Sequence, residues 1–249
     1  MCGIVAGRTH EPVGPFLVEA LGRLEYRGYD SAGIATDDGD RRLLTLKTVD
    51  RVDDLGRQLA AHPRLDHATY GIGHTRWATH GAVTVGNAHP HTDCQGRIAI
   101  VHNGVLINSA ELRHELEARD GHIFASDVDS EVVAHLVESH LERHDLHTSV
   151  ELTVSQLRGS WAIVVLDVHT GAMVAAANKS PLVLGRSSAG DFVASDIGAI
   201  APWVDEFRVL DDGDVVQVTP MTRWRRLGVP IIAPEHRPCL VRPADLELG

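Results

Sequence analysis

Cysteine occurs only three times in 249 residues, as Cys2, Cys94 and Cys239, and no two of them form a CxxC pair. Three cysteines cannot all pair with one another, so a disulfide-built scaffold is excluded and a reducing, cytoplasmic home is expected. No run of eighteen apolar residues occurs, and the first residues lack a basic segment followed by an apolar stretch. Neither a membrane span nor a secretory leader is therefore expected. Basic charge is short as well, with 23 Lys and Arg against 34 Asp and Glu and a net charge of -11. That balance argues against a general nucleic-acid binder, which needs cationic side chains to displace counterions from phosphates. Aromatic residues make up only 4%. No internal repeat, low-complexity tract or long linker divides the chain. What is present is an ordinary globular composition, 43% hydrophobic, in a chain long enough to bury a core without staples.

Short β-rich runs set off by Gly, Asp and Asn predict strands at residues 3–6, 32–36, 43–48, 68–75, 98–102, 161–167, 173–178, 182–184, 191–195, 206–210 and 214–218. Helical periodicity predicts helices over 13–24, 110–118 and 130–141. Their apolar stripes are Phe16, Leu17, Ala20, Leu21 and Leu24, then Leu112 and Leu116, then Val132, Val133, Leu136 and Val137. Asp129 or Ser130 is placed to cap the last helix. The mixed order of elements, rather than a βαβ repeat, predicts an α+β fold with sheets covered by helical layers. After residue 219 periodicity fades, and Pro230, Pro234, Pro238 and Pro243 break any long element. One domain over residues 1–219 is expected, with 220–249 a loop-rich tail or the start of a linker.

Cys2 follows the initiator Met, and a small second residue is the setting in which that Met is removed. The mature chain would then carry a thiol and a free α-amine on one residue. An α-amine titrates at about 7.7 to 8.0, close enough to neutrality to accept the proton of a thiol that titrates near about 8.5. Without further residues, a cysteine at position 2 is equally an accident of sequence. The apolar run behind it, Gly3, Ile4, Val5 and Ala6, would anchor the terminus in a sheet.

Four other segments carry chemistry. In Gly73-His74-Thr75-Arg76-Trp77-Ala78-Thr79-His80-Gly81, Arg76 can hold a carboxylate in a two-bond fork or serve only as an ion pair. Trp77 reads as a lid or as packing. In Asn87-Ala88-His89-Pro90-His91 two imidazoles are close, but an H-x-H pair lacks the partners of a zinc site, and Glu131 with His135 does not complete HExxH. His102-Asn103-Gly104 ends an apolar strand with a side-chain amide beside a flexible N–H, which suits an oxyanion hole and equally a turn. Asp129, in Asp127-Val128-Asp129-Ser130-Glu131, is either a helix cap or a receptor for a ligand ammonium.

In this order the segments resemble the glutaminase domain of class II glutamine amidotransferases, which are N-terminal nucleophile hydrolases. The run Leu24-Glu25-Tyr26-Arg27-Gly28-Tyr29-Asp30-Ser31-Ala32-Gly33-Ile34 is similar to the glucosamine-6-phosphate synthase branch of that class. The resemblance implies a four-layer αββα sandwich. It implies that Cys2 attacks the side-chain amide of L-glutamine with its own amine as base, forming a thioester that water hydrolyses. Asn103 and Gly104 would form the oxyanion hole, Arg76 would hold the substrate carboxylate and Asp129 its ammonium. Thr79 and His80 would line the pocket, and Trp77 would close over it. No cofactor and no metal ion are expected. Ala6 stands where the family usually has Gly, and Ser126-Asp127-Val128-Asp129 where Ser-Glu-Thr-Asp is common. A sugar isomerase domain or subunit is the expected partner, receiving ammonia for conversion of fructose 6-phosphate to glucosamine 6-phosphate. The alternatives are a stand-alone glutaminase or a glutamine-binding regulatory subunit, and a homo-oligomer is left open.

Overall fold

The structure is a computed structural model that describes residues 2–62, 65, 67–77, 82–218 and 223–241. In chain order the strands are β1 (Gly3–Thr9), β2 (Ser31–Asp37), β3 (Leu43–Thr48), β4 (Tyr70–Arg76), β5 (His91–Thr92), β6 (Ile98–Leu106), β7 (Gly159–Asp167), β8 (Ala172–Asn178), β9 (Val183–Ser187), β10 (Gly190–Ala194), β11 (Glu206–Val209), β12 (Asp214–Val218), β13 (Arg223–Arg226), β14 (Val229–Pro230) and β15 (Arg237–Pro238). The helices are α1 (Val13–Gly22), α2 (Val52–Ala60), α3 (Ser109–Glu115), α4 (Glu131–Leu141), α5 (Leu146–Gln156) and the single turn α6 (Ile197–Ile200). One sheet runs β15-β11-β9-β10-β1-β4-β2-β3, the other β14-β13-β12-β8-β7-β6-β5.

Three apolar layers hold these elements together. Val5, Ile34, Leu46 and Phe192 on the outer face of the first sheet pack against Phe16, Leu17 and Leu21 of α1 and Leu55 of α2. Ile98, Ile100, Ile163 and Val165 on the outer face of the second sheet meet Leu112 of α3, Val133 and Val137 of α4 and Val150 of α5. Between the sheets lie Ile4, Ala6, Ile72, Ala99, Val101, Val164, Leu166 and Ala175. Side chains alternate across a strand, so a strand covered on both faces must be apolar at every position. Residues 98–101 and 161–166 are such runs, with Ala99, Ala162 and Ala175 among the small residues facing the opposite sheet. The result is helix, sheet, sheet, helix, the α+β sandwich the sequence suggests.

Every predicted strand and helix is present, with shifted ends. Three differences bear on the site. β6 does not turn at Asn103-Gly104 but continues to Leu106, pairing Gly104 with Trp161 of β7. Gly104 has φ +134, and a Cβ there would lie 2.0 Å from the Ser160 carbonyl oxygen, so only glycine fits this backbone. Neither Asp129 nor Ser130 caps α4: Ser130 holds the cap position without a side-chain cap bond. The Asp129 Oδ2 instead accepts the Leu106 N–H at 2.8 Å, and Ser130 Oγ meets His102 Nδ1 at 2.8 Å. Within the segment expected to be loop-rich, β13 pairs with β12 and β15 with β11. No helix among the described residues is long and apolar enough to cross a membrane.

Candidate active site

Cys2 sits immediately before β1, an inner strand of its sheet flanked by β10 and β4. The start of that strand is tied from both sides. Ile4 N–H donates to Ser195 Oγ at 3.0 Å, and the Ile4 carbonyl accepts the Ser195 N–H at 3.0 Å. Gly3 permits this closeness, since a Cβ there would lie 2.6 Å from Thr75 Oγ1 and 2.8 Å from Leu24 Cβ. The Cys2 sulfur accepts a bond from the Trp77 N–H at 3.4 Å. Burial pushes its thiol above the ordinary value, while the Trp77 backbone and the charges of Arg76 and Arg27 pull less strongly the other way. At neutral pH the group is therefore a thiol rather than a thiolate.

The Leu24-to-Ile34 run supports Arg76 and Trp77 from behind. Gly28 leaves room for their backbone, for a Cβ would lie 2.7 Å from the Trp77 nitrogen and 2.8 Å from the Arg76 carbonyl carbon. Asp30 N–H donates to the Arg76 carbonyl at 3.0 Å, and the Tyr29 ring meets the Trp77 ring edge-on at 5.6 Å. Arg27 is buried against Asp196 at 3.1 Å. Arg76 is buried at the end of β4, whereas Trp77 is 43% exposed.

Asn103 reaches across from the second sheet. Its Nδ2 donates to the Cys2 carbonyl at 3.1 Å, and its Oδ1 lies 3.0 Å from His74 Nε2. The same Nε2 lies 3.1 Å from the His102 carbonyl. Both neighbours are acceptors, so Nε2 must carry the ring proton, and Asn103 presents its NH₂ toward Cys2. Burial first of all holds His74 down at about 3, which keeps it a neutral donor. Sequence reasoning missed this residue. Its signal was the position two residues before Arg76 on one strand, which puts both side chains on one face.

The Asn87-to-His91 segment proves to be a support. Asn87 Nδ2 donates to the Ala82 carbonyl at 3.1 Å, and its Oδ1 accepts the Asp127 N–H at 3.1 Å. His89 stacks on His74 at 4.1 Å, with His91 edge-on to it at 4.4 Å. Gly33 makes room for this segment, because a Cβ there would lie 2.2 Å from the His89 carbonyl oxygen. Burial is again the main cause that drives His89 well below its usual range and His91 to about 3.

Cys2, Arg76, Trp77, Gly104, Val128 and Asp129 line one cavity of about 270 Å³, with Asn103 bonded at its edge. That volume falls just under the range of about 300–1,000 Å³ that drug-sized ligands fill, and suits a small metabolite. A larger cleft of about 600 Å³ lies elsewhere, beside Cys94 and His122. Volume alone does not choose between them. The smaller cavity is the one that brings together a thiol, a guanidinium, a carboxylate and amide donors. Of the residues singled out in the sequence it gathers six; Thr79 and His80 lie outside the described residues.

A family model of the glutamine amidotransferase domain matches residues 74–202, more than half of the chain. The chain belongs to that family. Among relatives of this amidotransferase domain, glutamine–fructose-6-phosphate aminotransferase (isomerizing) of Idiomarina loihiensis is 44% identical over 220 residues, covering 88% of this chain and 35% of that protein. The enzyme of the same name from Halobacterium salinarum is 45% identical over 225 residues, covering 90% and 36%. That from Thermus thermophilus is 44% identical over 240 residues, covering 96% and 38%. The chain thus spans little more than a third of these relatives. Among solved structures, the glutamine phosphoribosylpyrophosphate amidotransferase of B. subtilis superposes with a TM-score of 0.76 at 24% identity, covering 91% of this chain and 49% of that one. A glutamine aminotransferase class-II domain protein of Silicibacter pomeroyi gives 0.60 at 19% identity, covering 91% and 99%. These likenesses show that the amidotransferase domain shares the fold of those structures, which here is the helix, sheet, sheet, helix sandwich.

Proposed function

We propose that this domain hydrolyses L-glutamine to glutamate and ammonia through a thioester on Cys2. The observation that carries the reading is the single cavity in which a thiol at the start of an inner strand meets an amide donor and both signs of charge. Removal of Met1 frees the Cys2 amine, which takes the thiol proton as sulfur attacks the glutamine amide carbon and later gives a proton to the departing ammonia. Water then cleaves the thioester. The Asn103 NH₂ and the Gly104 N–H stabilise the oxyanion of both tetrahedral intermediates, each donor contributing about 2.7–4 kcal/mol. Arg76 and Asp129 hold the α-carboxylate and α-ammonium, which selects glutamine over a simple amide. Trp77 closes over the bound substrate and keeps water away until ammonia has left.

Glutamate release by chain lacking Met1 is the test. Cys2→Ala is expected to remove turnover altogether, and Asn103→Ala to lower kcat about 10²–10³-fold. Undiminished hydrolysis by Cys2→Ala, or by protein whose intact mass shows Met1 retained, would sink the mechanism.

The names of the relatives support a further step. We propose that the ammonia is used in the cytoplasm by a sugar isomerase domain or subunit that converts fructose 6-phosphate to glucosamine 6-phosphate. Adding such a subunit should yield glucosamine 6-phosphate from glutamine and fructose 6-phosphate. Glutamate production that continues with no amino sugar formed would favour a stand-alone glutaminase.

A further inference from the structure

Away from the Cys2 cavity, on the outer side of the second sheet, four side chains from three separate segments converge. Cys94 lies in the turn between β5 and β6, His122 follows the turn that ends the α3 region, and His135 and Glu138 stand one helical turn apart on α4. One atom from each, the Cys94 sulfur, Nδ1 of both histidines and a Glu138 carboxylate oxygen, all lie within 4.8 Å of one another. The sulfur is 3.5 Å from His122 Nδ1 and 3.5 Å from His135 Nδ1. Glu138 Oε2 is 3.1 Å from His122 Nδ1 and 3.4 Å from His135 Nδ1.

These separations have the size of a tetrahedron's edges. With zinc bonds of about 2.3 Å to sulfur and about 2.0–2.1 Å to nitrogen and oxygen, a tetrahedral ion sets sulfur to nitrogen at about 3.5 Å and nitrogen to oxygen at about 3.3 Å. A hydrogen-bonded cluster explains the arrangement less well. Each Nδ1 faces both the sulfur and the carboxylate oxygen, and that same oxygen already accepts the Cys94 N–H at 3.1 Å. Four groups that can each offer a lone pair thus stand around one point, the arrangement a cation uses.

The far side of the His122 ring adds a second observation. His122 Nε2 lies 3.0 Å from Ser139 Oγ, and His135 Nε2 lies 3.6 Å from Glu131 Oε1. The His122 contact is the kind that a metal-bound imidazole makes through its other nitrogen, whereas His135 Nε2 stands beyond hydrogen-bond distance of Glu131. The open cleft of about 600 Å³ bordered by Cys94, His122 and Glu138 gives an ion a way in from solvent.

We propose that Cys94, His122, His135 and Glu138 form a closed tetrahedral site for a zinc-class divalent cation that fastens the β5–β6 turn and the 122–130 segment to α4. Four protein ligands leave no open position, so the ion's role is structural. Cys94 binds as thiolate, its proton passing to solvent. The fastened segment leads to the active cavity. Glu131 accepts the N–H groups of Ala125 and Ser126, each at 2.7 Å, and Asp129 follows within the same stretch. This site stands apart from Cys2 and does not depend on the glutaminase reading.

The test is metal analysis and cobalt spectroscopy on the full chain, purified without an affinity tag, stripped and reloaded. One equivalent of zinc is expected, and Co²⁺ in its place should show tetrahedral d–d bands with a thiolate-to-cobalt charge-transfer band. Cys94→Ser should remove that band and weaken zinc binding more than tenfold, and His122→Gln should weaken it similarly. Cys239→Ser and Cys2→Ala should leave both readouts intact. Zinc at about a hundred times its dissociation constant should raise Tm by about 5–10 °C, an increase lost in Cys94→Ser. Cys94 is exposed and His122 lies off the apolar core, so these variants are expected to fold, which circular dichroism checks. Failure of the reloaded protein to retain an equivalent of zinc, or a cobalt spectrum indifferent to Cys94→Ser, would overturn the site.

Discussion

The hydrogen bond from His74 to Asn103 gives one side chain control over another's orientation. If the His74 N–H fixes which end of the Asn103 amide faces Cys2, then His74→Ala should let the amide rotate without removing it. The expected result is a fall in kcat of about tenfold to a hundredfold with KM for glutamine little changed, since outer groups that orient a reacting group are worth about that much. Steady-state kinetics of glutamate release check it, and a rise in KM with unchanged kcat would count against it. Gly104 offers a stricter case. Its φ of +134 and the Ser160 oxygen 2.0 Å from a Cβ leave an alanine nowhere to go. Gly104→Ala is expected to cost about 1–3 kcal/mol in urea unfolding and to misplace the neighbouring amide.

At the scale of elements, packing on both faces decides which substitutions matter. Ile163 lies in β7, fully buried, between the Ala162 and Val164 that face the opposite sheet, and itself faces α4 and α5. Ile163→Ala should lower stability by about 2–5 kcal/mol, seen as a lower urea midpoint at an unchanged slope. The strands are the legible part of the sequence because doubly buried strands read as unbroken apolar runs. The missed helices fail for opposite reasons. Helix α2 buries only Val52 and Leu55, too few residues to make a stripe. Helix α5 carries Thr148, Val150, Thr153 and Val154, β-branched residues that suggest a strand, yet it forms against the second sheet after Asp145 accepts the Thr148 N–H at 2.8 Å. Asn103-Gly104 misleads in the same manner, since it is a turn dipeptide in isolation that β7 pairs into a continuous strand.

For the whole molecule, the buried imidazoles set the response to acid. His74, His89, His91 and His102 all have their protonation suppressed, chiefly by burial. In the unfolded chain these groups titrate near about 6.5, so below that pH the unfolded state binds more protons than the folded one and stability falls. The loss should begin as pH drops below about 6.5 and continue toward about 3, the value to which His74 and His91 are depressed. Calorimetric Tm measured from pH 7.5 to 4.5 checks this. A Tm that stays level until the carboxylate range would refute it.

The sequence by itself determined the layered α+β architecture, because apolar runs and helical stripes record local burial wherever it occurs. It also offered Cys2, Arg76, Asn103, Gly104 and Asp129 as candidates whose joint role rested on the resemblance of their segments to one family, since taken singly each had another reading. Tertiary structure alone decided which of them meet. The cavity draws on the start of β1, the end of β4, the far half of β6 and the approach to α4, segments distant in sequence whose spacing no periodicity encodes. It also decided that His74, rather than any residue flagged by its motif, holds the Asn103 amide. The convergence of Cys94, His122, His135 and Glu138 belongs to the same class, for their separations in sequence follow no ligand pattern and only the packing of α4 against the second sheet brings them to one point.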